Sequence, residues 1–121
     1  MYAFECDKSR KLLTIRYAGH VDAAETSRIA NELPRLLADM PRGFRLLTDL
    51  QQLESMDYAC AAHIKQVMDL CNAHGVTEVV RIIPDLRKDI GFKLMSYFHY
   101  DGEVAIVTCE TIDEARQALV N

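Results

Sequence analysis

Four histidines, four cysteines and the aspartates Asp49 and Asp57 are the side chains in this 121-residue chain from which a reactive centre would be built. A metal ion needs its ligands at one point, and His20, His63, His74 and His99 lack ligand spacing. His63 and His74, for example, would point nearly the same way from one helix but about 16 Å apart along it. No glycine-rich phosphate loop follows a strand. Cys60 and Cys71 have no histidine placed by sequence to activate a thiolate, so they read better as small core residues than as nucleophiles. Asp57 stands where an N-cap carboxylate would accept the free N–H groups of a helix's first turn, a reading that outweighs a catalytic carboxylate. No catalytic residue, metal or cofactor is expected.

Two features point to binding instead. Arg81, Arg87, Lys88 and Lys93 crowd a strand-to-helix passage in a chain whose net charge is −4. Such a helix start can hold an anion, whether a phosphate headgroup or a partner's carboxylate. The plainer alternative is that Arg87 and Lys88 are solvated and paired with Asp85 and Asp89. The second feature is an excess of apolar side chains over residues 85–100. Leu86, Ile90, Leu94 and Phe98 recur every four residues and can face a sheet, which leaves Phe92, Met95 and Tyr97 on other faces. An aromatic and methionine patch of this kind marks a binding surface, unless loops or the opening hairpin cover it.

The elements that must carry these residues are marked by pattern. Phe44 to Leu50 is a short apolar run, a buried strand. Gln51 to Tyr58 reads as a loop, and a helix follows with Ile64, Val67, Met68 and Cys71 at i, i+3, i+4, i+7 and Gly75 just past its end. Upstream, Tyr2–Cys6 and Leu12–Ala18 flank a polar turn, as in an antiparallel hairpin. From Asp22 a helix is expected with Ile29, Leu33, Leu36, Leu37 and Met40 on one face, opened by a capping box of Asp22 and Glu25. It should be kinked or broken at Pro34. Glu78 to Ile83 and Val104 to Cys109 are further strands, and Thr111 to Glu114 starts a short terminal helix as a capping box.

Length fits one domain over residues 1–121. The acidic balance argues against nucleic acid as a partner. Scattered cysteines without a C-x-x-C pair suggest reduced core thiols, and there is neither a signal pattern nor an apolar stretch long enough for a membrane span. A cytoplasmic protein is expected. Strands separated by long helices imply parallel pairing, so the fold class is α/β: a mixed, mostly parallel sheet opened by an antiparallel hairpin, with four helices. The loops leaving the strands' carboxyl ends, Gln51 to Tyr58, Pro84 to Lys88 and Thr108 to Thr111, should gather on one face.

This element order, with Leu47-Thr48-Asp49-Leu50, then Met56-Asp57-Tyr58-Ala59-Cys60, the opening Ala18-Gly19-His20-Val21-Asp22 and the closing helix Glu110 to Leu119, resembles the STAS domain. That is the SpoIIAA-like fold of anti-sigma-factor antagonists. The resemblance implies a non-enzymatic regulatory module with a protein partner, a regulator or kinase-like protein. In phosphorylated members a serine follows the loop aspartate, and its modification adds about two negative charges. Here Tyr58 holds that place, followed by Ala59 and Cys60, so a serine-kinase switch is not expected there. Partner contacts are expected at Asp57, Tyr58, Phe92 and Met95, with homodimerisation through the helix bearing the last two. The alternative function is a small-molecule or lipid-binding domain, with an apolar pocket under that helix and an anion held by Arg81, Arg87 or Lys88.

Overall fold

The computed structural model describes residues 1–83 and 104–120. Strands β1 (Tyr2–Asp7) and β2 (Leu12–Val21) lead into helix α1 (Ala23–Ala38), strand β3 (Arg45–Met56), a 3-10 turn (Tyr58–Cys60) and helix α2 (Ala61–Ala73). Strands β4 (Glu78–Ile82) and β5 (Ala105–Cys109) and helix α3 (Ile112–Ala118) complete the described elements. The five strands form one sheet in chain order, with β1 antiparallel to β2 and every other pair parallel. The α/β class, the opening hairpin and the mostly parallel sheet are thus as the sequence pattern implies. Three α-helices lie among the described residues. The helix expected over residues 85–100 falls outside them, and with it Arg87, Lys88, Phe92 and Met95.

Successive strand residues face opposite sides, and the two sides are covered differently. Leu13, Leu46 and Val79 join Ile29, Leu33, Ile64 and Val67 in one core beneath α1 and α2. Their neighbours Leu12, Leu47 and Val80 join Cys109, Ala115 and Leu119 in a second, smaller core beneath α3. No helix among the described residues is long and apolar enough to cross a membrane.

The helix termini follow the sequence closely. At α1 the capping box is complete: Asp22 Oδ1 accepts from the Glu25 N–H at 2.9 Å, and Glu25 Oε2 accepts from the Asp22 N–H at 3.0 Å. At α3, Thr111 Oγ1 accepts from the Glu114 N–H, but Glu114 Oε2 reaches back to the Glu110 N–H rather than that of Thr111. Helix α2 ends in a Schellman motif, with Val76 N–H donating to Cys71 O and Gly75 N–H to Asn72 O, both at 3.1 Å. Gly75 supplies the left-handed residue this needs, at φ +86°.

Two expectations are corrected. Of the kink or break expected at Pro34, the break does not occur, since α1 runs from Ala23 to Ala38 with Pro34 inside it. A mid-helix proline costs about 3 kcal/mol. The burial of Ile29, Leu33 and Leu37, each worth about 1.5–3 kcal/mol, exceeds that and keeps the helix whole. The second correction concerns Gln51 to Met56, expected as loop. These residues continue β3, because β2 also runs on to Val21 and pairs with them as far as Val21 opposite Met56.

Candidate functional site

The long β2–β3 pair decides where a site can form. Asp49 lies opposite Ile82, the last residue of β4, and Ile82 lies opposite Cys109. Strand β3 runs on for seven further residues, Leu50 to Met56, of which Gln52, Leu53, Ser55 and Met56 pair with β2, so among the described residues a two-stranded tongue projects about 23 Å of strand length past that level. The loops after β3 and β5 therefore do not share one face, and Pro84 to Lys88 lies outside the described residues. Asp57 and Tyr58 sit at the tongue's tip, whereas Cys109 and the start of α3 lie near its root.

Within the tongue the pairing shifts twice, between Arg16 and Ala18 and between Gly19 and His20. Gly19 takes a left-handed conformation, φ +64°, that other residues enter only with strain. The second shift has a chemical result. A continuous register after Gly19 opposite Leu53 would set His20 against Glu54, but the shift sets it against Ser55.

His20 consequently bridges two polar groups. Its Nδ1 lies 2.6 Å from Ser55 Oγ and its Nε2 lies 3.0 Å from Asp57 Oδ1. A neutral ring that donates Nε2–H to the carboxylate presents Nδ1 as acceptor for the serine hydroxyl. The order serine, histidine, carboxylate is that by which hydrolases activate a serine, but the two ring nitrogens are exchanged, with Nδ1 rather than Nε2 facing the hydroxyl. Here the side chains of His20 and Asp57 are 54% and 48% exposed. The arrangement orients three polar groups at a solvated tip.

Asp57 is not the side-chain cap that the sequence suggests. Its carboxylate makes no bond to the turn that follows. In the 3-10 turn the Cys60 N–H, a natural target for a capping oxygen, is taken at 2.9 Å by the Asp57 carbonyl, while the Asp57 N–H donates to Val21 O at 3.0 Å. The free carboxylate turns to His20 instead. An exposed ion pair contributes about 0–1 kcal/mol, less than a typical cap. Asp57→Asn and Asp57→Ala are therefore expected to melt within a few tenths of a kcal/mol of each other in urea. A deficit of 1 kcal/mol or more in the alanine variant alone would restore the cap.

Beside this pair Tyr58 stands 95% exposed, the most exposed large apolar side chain described. The backbone beneath it is fixed, because Val21 O accepts both the Asp57 N–H and the buried Cys60 thiol, the latter at 3.6 Å. Thr26 Oγ1 and His63 Nδ1, 2.9 Å apart, link α1 to α2 close by. Of the four expected partner contacts the structure thus brings Asp57 and Tyr58 together and adds His20 and Ser55.

The remaining candidates are placed elsewhere. Asp49 lies about 25 Å of strand from Asp57. It accepts the Gln51 N–H at 3.0 Å and pairs with Arg16 at 3.4 Å. Arg81 is only 1% exposed, in a row across the sheet between Thr48 and Thr108. His74 donates Nε2–H to Met40 O at 2.7 Å. Cys60, Cys71 and Cys109 are buried free thiols and Cys6 is an exposed one. Burial pushes the Cys71 thiol up to about 12, which leaves it un-ionised and unreactive at neutral pH.

No protein-family model and no curated protein matches the sequence. Solved structures do match by shape. A protein of the DUF3478 family with a SpoIIAA-like fold from Shewanella loihica superposes with a TM-score of 0.73 at 14% identity, over 98% of this chain and 93% of that one. The unphosphorylated anti-sigma factor antagonist SpoIIAA gives a TM-score of 0.66 at 15% identity, over 99% and 97%. An anti-sigma factor antagonist from Mycobacterium paratuberculosis gives 0.60 at 16% identity, over 100% and 94%. Agreement across nearly the full length of each partner, with one antiparallel hairpin opening an otherwise parallel sheet, identifies the fold of this chain as SpoIIAA-like, the STAS type.

Proposed function

We propose that this protein is a non-enzymatic regulatory module that docks a protein partner through the tip of its β2–β3 tongue. One observation carries the reading: an aromatic side chain, Tyr58, held 95% exposed on a fixed backbone beside the His20–Asp57 pair. Exposed aromatics rimmed by polar groups are typical anchors of protein interfaces. The fold shared with anti-sigma factor antagonists supports a regulatory role, and in this reading the protein is cytoplasmic and its partner is a regulator or kinase-like protein. A serine-phosphorylation switch is not part of this proposal. Tyr58, Ala59 and Cys60 offer no serine at the head of the turn, and the Ser55 hydroxyl is engaged by His20. The test is a photo-crosslinking amino acid placed at residue 58 in the native host. A single stoichiometric protein adduct, absent when the crosslinker is moved to Lys65, supports docking at the tip. Equal capture from both places overturns it.

Self-association through Phe92 and Met95 belongs to the same proposal, resting on the apolar excess of residues 85–100. Light scattering is expected to give about twice the monomer mass. Phe92→Glu is expected to return the protein to monomer with its circular dichroism unchanged, and a monomer at high micromolar concentration defeats this part of the reading.

A further inference from the structure

Among the described residues, the sheet face opposite α1 and α2 carries only α3, which is seven residues long and packs over β4 and β5. Between α3 and the β1–β2 hairpin lies an open groove of about 580 Å³. That volume is within the range of small-molecule sites, about 300–1,000 Å³. Its floor is Leu12, Thr14 and Leu47, each almost fully buried, and Ile112 and Leu119 form the wall on the α3 side.

The rim has a different character. Lys8, Arg10, Arg16 and Arg116 border the groove against only Glu5 and Asp7, a local cation excess in a chain of net charge −4. Both acids are already engaged. Glu5 pairs with Arg16 at 3.0 Å, and Asp7 Oδ1 accepts the Ser9 hydroxyl and the Arg10 N–H, which hold its carboxyl below the usual range. Arg16 is also committed to Asp49. The other cations are less committed. Lys8 and Arg116 have only exposed carboxylates at 3.9 and 3.7 Å, Asp39 and Asp113, and the Arg10 guanidinium makes no hydrogen bond or ion pair among the described residues.

We infer that this groove binds a small amphiphilic anion, its apolar body on Leu12, Leu47 and Ile112 and its carboxylate or phosphate between Arg10 and Arg116. The charge pattern selects the sign of the ligand. A cation would meet the rim's repulsion, and both rim acids already carry internal partners. The apolar floor selects against a bare inorganic ion, which would gain nothing from it. The site lies on the opposite sheet face from the Arg81 row and far from Tyr58, so it does not depend on the docking proposal.

Titrating the full chain with octyl phosphate, inorganic phosphate and octyltrimethylammonium, followed by amide chemical shifts, tests it. Octyl phosphate is expected to saturate, with shifts centred on Leu12, Leu47 and Ile112, and to bind at least tenfold more tightly than either other probe. Arg10→Glu combined with Arg116→Glu, both at the exposed rim, is expected to weaken it tenfold or more with an unchanged spectrum elsewhere. Equal binding of the cationic probe, saturation by inorganic phosphate alone at the same concentration, or an unaltered affinity in the charge-reversed variant overturns the inference. So does binding confined to phosphatidic acid vesicles, which would make the rim a membrane-surface patch rather than a small-molecule site.

Discussion

Phe44→Ala is expected to cost about 3–5 kcal/mol in urea denaturation, the range for emptying a buried phenylalanine site. Phe44 is fully buried where β3 and β4 begin, with its ring centroid 5.9 Å from that of His74 at the end of α2. The surrounding backbone is tied. Thr77 N–H donates to Phe44 O at 2.9 Å, Gly43 N–H donates to Gly75 O at 2.9 Å, and the Thr77 hydroxyl reaches the Gly43 and Phe44 carbonyls at 3.2 Å. Bonds of this kind survive the substitution and hold the walls apart, so the cavity cannot collapse and the cost belongs in the upper part of the range. Against a typical total of 5–15 kcal/mol, the variant is left marginal. Phe44→Leu, which fills most of the space, should lose less than half as much. A loss below 1 kcal/mol for alanine would mean that the plug at the base of the sheet is not what fastens α2 to β3. Because Phe44 lies about 40 Å of strand from Asp57, the folded fraction should keep its partner affinity.

How far the sequence can be read depends on what each feature needs in order to form. The buried stripes of α1 and α2 are local and periodic, and Ile29, Leu33, Ile64, Val67, Met68 and Cys71 are all buried as their spacing requires. The caps at Asp22, Thr111 and Gly75 are likewise local chemistry, visible within four or five residues. The tongue was hidden because Gln51-Gln52-Leu53-Glu54-Ser55 is polar enough to look like loop. Only its pairing with β2, remote in sequence, makes it strand. Proline at residue 34 gave a strong local signal for a break, and tertiary burial of three large side chains overrode it.

The site shows the same division more sharply. Asp57 and Tyr58 were legible, since they sit at the boundary between a strand pattern and a helix pattern. His20 and Ser55 were not, although both lie within short reach of those residues in space. Their meeting depends on a register shift at Gly19, and no periodicity encodes a shift of that kind. The one available signal was Gly19 itself, a glycine inside what is now a ten-residue strand, which marks a bulge more often than an end. Reading Gly19 as the end of a strand moved His20 out of the sheet and away from Asp57. The N-cap expected at Asp57 rests on its place ahead of a helical pattern, and in the structure the carboxylate meets His20 instead.

Tyr58→Ala should separate docking from folding more cleanly than any other change, once the partner has been captured. A side chain 95% exposed in the free protein makes almost no contacts there, so its removal should alter stability by no more than about 0.5 kcal/mol. At an interface the same ring buries on the order of 150–250 Å². At about 25 cal/mol per Å² that is roughly 4–6 kcal/mol before the costs of ordering and imperfect fit. A central aromatic anchor commonly retains 2 kcal/mol or more of this, about a thirtyfold change in affinity. His20→Gln and Asp57→Asn act differently: they disturb the exposed polar pair beside the ring, and a rim contact is worth less and is screened by salt. The expected order in isothermal titration is therefore Tyr58→Ala weakest by at least thirtyfold, with the two polar variants within about tenfold of wild type and converging on it as salt is raised. If Tyr58→Ala binds as tightly as the wild-type chain while melting normally, the tip of the tongue is not the docking surface, and the partner must be sought at another face of the molecule.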